Sequence, residues 1–370
     1  MNTTPNNVEY RDVINGICKN IHTGLIDFSE PRSKASAPTQ ASSEFITNKQ
    51  QGDWAEDVLF RAINEHSANI VAVRYGKSDD LVAGDVGFKE FYERYQSELD
   101  AIGKRPDLLL FRKADFDADL GLDISTKDSN EIGNYVTKAI AGIEVRSSSY
   151  LINKYTEETN RILRCNIERV FSLRDILLSD YNDLLEQKRP ELITILKQYN
   201  ESTIRTLNFK SPSWHSSKRL QEMSTLLSEL KQCLKVIQKK RNNLSMTPKV
   251  EDLKVVHKWI MTYNVPHFYV QVFFDRIYGM SFKHIMELVS DPNMEGEKYY
   301  VEKDSKNQQK KTIKISPFEG VCLAQTVTEP KHRSVRKELR MGNLLFYVTF
   351  DGGEAYLDKE NFDTLFACKL

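Results

Sequence analysis

The spacing of hydrophobic positions changes several times along the chain, and each change marks an element. Between residues 7 and 28 apolar side chains recur at helical spacing before the pattern breaks. Residues 29–43, SEPRSKASAPTQASS, carry few large apolar side chains and many Ser, Ala and Pro, which predicts a linker or extended arm. A helix is predicted over about 53–66, with Ala55, Val58, Leu59 and Ala62 as its stripe. The β-branched run 69–74 predicts a strand, and a polar helix follows near 88–101. Leu108, Leu109, Leu110 and Phe111 form an unbroken apolar run of the kind buried on both faces. Residues 141–146, AGIEVR, predict a further strand.

From about 155 to 245 the spacing is helical. Leu220, Met223, Leu227, Leu230, Leu234 and Ile237 alternate steps of three and four. Such a stripe serves either a helical hairpin packed within its own domain, the commoner use, or a dimerising or DNA-clasping arm. Residues 265–274, VPHFYVQVFF, predict a strand ended by Asp275 and Gly279. Short strands at 344–350 and 355–357, joined at Asp351-Gly352-Gly353, predict a hairpin. There is no regular βαβ alternation. The expected class is α+β, with a mixed central sheet flanked by helices, a helical insertion and C-terminal β hairpins. The expected division is 1–44 as helix and arm, 45–290 as core with the insertion, and 291–370 as a basic β region.

Composition narrows the function classes. Hydrophobic residues at 40% suffice for a core, and 52 basic against 52 acidic side chains argue against a uniformly basic nucleic-acid binder. Residues 301–340 nevertheless carry ten Lys or Arg against five acids. That stretch is either a solvated face or a phosphate-binding patch. Cys18, Cys165, Cys233, Cys322 and Cys368 are scattered without a CxxC or Cys/His cluster, which argues against structural zinc and against a disulfide framework. No leader-like segment and no membrane-length apolar run is visible, so a cytoplasmic protein is expected. H-x-x-x-H, G-x-S-x-G and P-loop patterns are absent.

Two acidic residues stand out because apolar strands flank them. Asp107 follows Arg105-Pro106 at the start of one strand, and Glu144 lies inside another with Arg146 two residues on. Residues i and i+2 of a strand share a face, so Glu144 and Arg146 project together while Ile143 and Val145 face the core. If the strands are neighbours, Asp107 meets Glu144, and two carboxylates suit Mg²⁺ completed by waters and a phosphate. Such a site hydrolyses phosphodiesters by activating water and polarising the phosphoryl oxygen, with Arg146 as a fixed cation for the transition state. Arg146 cannot be the general base, since guanidinium does not deprotonate. Glu56, within Gln51-Gly52-Asp53-Trp54-Ala55-Glu56, is either a third carboxylate at the metal or a solvated first-turn acid. Gln271 either touches the site or is an ordinary buried amide.

The order Q-G-x-x-A-E, R-P-D-L-L-L-F, I-E-V-R-S-S-S-Y resembles the PD-(D/E)xK nuclease core. Residues 142–154, GIEVRSSSYLINK, followed by 265–282, VPHFYVQVFFDRIYGMSF, resemble the AccI-type family of type II restriction endonucleases over about residues 45–290 or the whole chain. The resemblance implies a Mg²⁺-dependent homodimer that cuts a short palindromic site in both strands of double-stranded DNA, leaving 5′-phosphate ends. It also implies a companion DNA methyltransferase. Arg146 stands where the family pattern has Lys, which leaves Lys154 as another source of the catalytic cation. Ser147 and Ser148 are expected as phosphate contacts or strand-end caps, and Lys331, Arg333, Arg336 and Lys337 are expected to contact DNA. The rivals are a non-catalytic DNA-binding or scaffold protein with a nuclease-like core, and a nuclease of repair or transposition.

Overall fold

The computed structural model describes residues 9–32, 36–77, 81–238, 244–303, 310–339 and 341–366. Asp304, Lys306 and Arg340 of the basic stretch, and Cys368, lie outside the described residues. The chain forms two compact units, residues 1–152 with 244–370, and residues 153–243.

In the first unit, α1 (Tyr10–Cys18) buries Ile14 and Cys18. Helix α2 (Ser43–His66) begins ten residues before the predicted start. The Ser42 hydroxyl caps it by accepting from Phe45 N–H at 3.1 Å, and the helix runs through Gly52. An interior Gly costs only about 1 kcal/mol relative to Ala, which burial of Ile46, Trp54, Ala55, Val58, Leu59 and Ile63 outweighs. Strand β1 (Ile70–Arg74), α3 (Phe88–Ile102), β2 (Leu108–Arg112), α4 (Ser129–Val136) and β3 (Ala141–Ser148) follow.

The second unit is helical. It holds nearly all of α5 (Ile152–Asp180), then α6 (Asn182–Lys188), α7 (Pro190–Gln198) and α8 (Lys218–Ile237). Leu220, Met223, Leu227, Leu230, Leu234 and Ile237 of α8 are buried in this unit's own core with Val170, Leu173 and Leu177 of α5. The stripe is therefore spent inside its own domain, and its reading as a dimerising or DNA-clasping face is corrected.

The chain returns to the first unit through α9 (Val250–Tyr263), β4 (His267–Phe273), β5 (Ile277–Ser281) and α10 (Phe282–Ser290). Asp275 ends β4 as expected, but Gly279 lies inside β5, an unpredicted strand pairing antiparallel with β4. Two ribbons and the last elements complete it: β6 (Tyr299–Lys303) with β7 (Lys311–Ile315), β8 (Val321–Val327), β9 (Lys331–Glu338), β10 (Leu344–Asp351), β11 (Ala355–Leu357) and α11 (Lys359–Phe366).

The sheet is mixed, in the order β1-β2-β3-β4-β5-β8-β11, and only β3 and β4 run parallel among its pairs. One face, with Leu108, Leu110, Ile143, Val145 and Val270, packs with α2 and α11 residues. The other, with Val73, Leu109, Phe111 and Tyr269, packs with Trp259 and Ile260 of α9 and Phe282 and Ile285 of α10. Coverage on both faces explains the unbroken apolar run of β2. The predicted C-terminal hairpin is not formed. β10 pairs with β9 over eight residues, while β11 pairs with β8 in the large sheet. Gly352 (φ 70°) and Gly353 (φ 84°) turn the chain from one sheet to the other. Their carbonyls accept from Trp54 Nε1 and an Arg61 guanidinium N–H, both at 2.8 Å, so Asp-Gly-Gly here anchors α2.

Candidate active site

Strands β2 and β3 pair antiparallel with Leu108 opposite Ile143, which puts Asp107 opposite Glu144. Gly142 makes the approach possible, since a Cβ there would lie 2.7 Å from Pro106 Cγ and 3.0 Å from Trp259. Asp107 is pinned at both ends. Its carbonyl accepts from Tyr75 and Gly76 N–H at 2.9 and 3.1 Å, and its Oδ2 accepts from Val145 N–H at 2.7 Å.

Glu144 is 2% exposed, on the α9-covered face. Its Oε1 pairs with Lys104 Nζ and with the Arg146 guanidinium at 3.0 Å, whereas its Oε2 is buried without a hydrogen-bond partner. Arg146 also donates to Asp252 in the first turn of α9, at 2.7 Å. Burial opposes the charge on Glu144, but Lys104 and Arg146 outweigh it and hold its pKa below the ordinary value. Asp107 is pushed up to about 7, by burial first and then by Glu144. Glu56 is pushed up to about 9, by burial and then by Asp107, Asp53 and Glu144, so it lies within electrostatic reach of both carboxyls.

Strand β4 continues the row. Parallel to β3, it sets His267 opposite Gly142, Tyr269 opposite Glu144 and Gln271 opposite Arg146. His267 is fully buried, and burial first, then Lys104 and Arg146, lower its pKa to about 3, so it is neutral. Gln51 of α2, with its amide oxygen turned toward β3, accepts from Ser148 and Ser149 N–H at 3.2 and 3.1 Å. It thereby ties the glutamine motif to the end of the Glu144 strand. Ser147 and Ser148 are half-buried at that end.

The structure thus brings Asp107, Glu144 and Arg146 together, with Glu56 nearby. Lys154 belongs to the helical unit. Lys331, Arg333 and Arg336 are exposed on β9, in a two-stranded sheet separate from the one that carries Asp107 and Glu144. Lys337 is held by Asp85 at 2.7 Å. Sequence reasoning misses Lys104 and Asp252. Lys104 stands three residues before Asp107 and is open to suspicion on that ground, whereas nothing local marks Asp252.

Among the described residues no group of three or more His, Cys, Asp or Glu side chains is placed to hold a metal ion. Two carboxylates are enough for Mg²⁺, which keeps several waters and completes its shell from a phosphate. The buried, unpartnered Glu144 Oε2 beside the Asp107 carboxyl fits such an ion. No described helix is long and apolar enough to cross a membrane. The profile of the AccI restriction endonuclease family matches residues 8–369. No curated protein matches the chain, and no solved structure does.

Proposed function

The chain belongs to the AccI restriction endonuclease family, and on that footing we propose that it is a Mg²⁺-dependent type II enzyme with a PD-(D/E)xK core. It hydrolyses both strands of a short palindromic DNA site and leaves 5′-phosphate ends. The observation that carries the reading is the Asp107–Glu144 pair across β2 and β3, with one carboxylate oxygen buried and unpartnered.

Asp107 and Glu144 hold the ion in this reading, and Glu56, its pKa raised by burial first and then by the neighbouring carboxylates, is the further carboxyl beside them. A Mg²⁺ ion there supplies an acidified water and a polarised phosphoryl oxygen. Asp107 is fixed by Val145 N–H, so it offers its charge without rearrangement. Arg146, braced by Asp252, holds Glu144 Oε1 in place. Ser147 and Ser148 meet the DNA backbone at the open end of β3, and Lys331, Arg333 and Arg336 meet it on the ribbon. A palindromic site is read most simply by a two-fold dimer, and host DNA is protected by a companion methyltransferase.

Digestion of phage DNA with the purified chain and Mg²⁺, followed by sequencing of the ends, tests this reading. Discrete fragments with one recurring sequence at every end support it. A smear without sequence preference favours a repair or transposition nuclease, and intact DNA favours a non-catalytic binder.

A further inference from the structure

We infer that Lys104, outside the nuclease motif, is the cation that meets the scissile phosphate, while Arg146 keeps the site in shape. The inference rests on the nuclease reading above and adds a residue to it.

The backbone delivers Lys104 to the site. Gly103 adopts φ 85°, and a Cβ there would lie 2.3 Å from Val255 O and 2.5 Å from Trp259 N. Only glycine fits so close to α9, and the turn lets Lys104 N–H donate to Val255 O at 3.0 Å. The side chain then lies under β3 with its ammonium on Glu144.

Two cations therefore share one carboxylate oxygen, but they are not equivalent. Arg146 has a second carboxylate, Asp252. Among the described residues, Lys104 has only Glu144 within ion-pair distance. With the Glu144 charge shared with a metal ion at Oε2, Arg146 would keep Asp252 as its partner, whereas the hold of Oε1 on Lys104 would weaken. An ammonium on a four-carbon stem can then turn to a new anion, whereas the Arg146 guanidinium stays tethered to Asp252 through Nη2. Lys104 also has access. Its side chain is 19% exposed, and it lines the same cleft as Asp107, with Gly76, Lys77 and Tyr95. The anion that arrives beside a metal on Asp107 is the phosphate, and a preorganised positive charge there stabilises the extra charge of the transition state.

The test compares wild type with Lys104→Ala, Lys104→Met and Lys104→Arg, all full-length. The probe is a plasmid fragment that wild type has been mapped to cut. Single-turnover cleavage at saturating enzyme and Mg²⁺ should fall on the order of 10²–10³-fold in the Ala and Met variants and recover partly in Arg. Mg²⁺ binding to the DNA-free protein, read by titration calorimetry, should be as tight as wild type or tighter, because the competitor for Glu144 is gone. Met keeps the aliphatic stem, so misfolding of the Ala variant alone leaves the test standing. Cleavage within about threefold of wild type would overturn the inference. Loss of Mg²⁺ binding along with rate would also overturn it, by showing that Lys104 only props Glu144. If wild type itself leaves DNA uncut with Mg²⁺, the nuclease reading fails first and takes the inference with it.

Discussion

At the scale of single residues, Asp107 carries a cost that shows in stability. Its pKa rises from the ordinary 3.8 to about 7 on folding, through burial and the Glu144 charge. A carboxyl whose pKa rises on folding stabilises the fold below its unfolded value and loses that contribution as pH climbs through the folded one. The metal-free melting temperature should therefore fall between about pH 4 and 7, and Glu56, raised to about 9, should extend the fall into the alkaline range. Asp107→Asn should flatten the acidic part of the curve and raise the metal-free melting temperature at pH 8. Mg²⁺ should stabilise wild type more as pH rises, because its ligands must be deprotonated, and should not stabilise the variant. Scanning calorimetry checks this, and an Asn variant that melts below wild type at pH 8 without metal would contradict it. The same residues show how much of the site is legible in the sequence. Acids set in apolar strands are conspicuous, so the strand pattern picks out Asp107 and Glu144, but it is the β2–β3 register that pairs them. Lys104 stays hidden, because its role depends on a left-handed turn at Gly103 against a helix about 150 residues further on. Asp252 is hidden too, since an acid in the first turn of a helix reads as a favourable dipole contact.

Among the elements, β2 and β4 are legible because burial on both faces leaves a long apolar run, whereas β5, equally buried, is interrupted by Gly279 and is not. Boundaries set by side-chain caps are not legible either. α2 begins at Ser43 because the Ser42 hydroxyl caps it, inside a stretch whose Ser, Ala and Pro content mimics a linker. The Asp-Gly-Gly turn misleads because a turn signal cannot say which strands it separates. In the proposed reading the β9–β10 ribbon is an element that touches DNA. Its partner face is fixed, with Leu345 and Tyr347 packed on Ile46 and Val82, and Lys337 tied to Asp85. On the opposite face Arg336 pairs across the ladder with Phe346, which is 59% exposed. A two-stranded ribbon of this kind fits the major groove. Replacing Lys331, Arg333 and Arg336 together by Ala should weaken binding to all sequences and reduce the slope of log affinity against log salt by up to about three, one for each phosphate no longer neutralised. Lys337→Ala should instead act on stability. A triple variant with unchanged affinity and salt slope would show the ribbon to be a solvated face.

For the whole molecule, the helical unit is a small domain with its own core, and α8 spends its apolar stripe there. Leu227→Ala should destabilise that unit by roughly 2–5 kcal/mol. It should leave the proposed dimer intact, because Leu227 is fully buried inside one chain. Sedimentation should give wild type and the variant the same mass, near twice 42.8 kDa. A variant that becomes monomeric while still folded would return α8 to the dimer contact. In the proposed reading, net charge near zero is compatible with DNA binding because exposed positive groups are local, with Lys331, Arg333 and Arg336 on the ribbon.

All of this depends on one carboxylate. Cleavage of a mapped DNA fragment by wild type and by Glu144→Ala, at saturating enzyme over a Mg²⁺ titration and with fragment binding measured in parallel, tests it most directly. Wild type should cut with Mg²⁺ and not with chelator. Glu144→Ala should bind the fragment within about threefold of wild type and cut at least about 10³-fold more slowly. A Glu144→Ala protein that binds and cuts like wild type would contradict it.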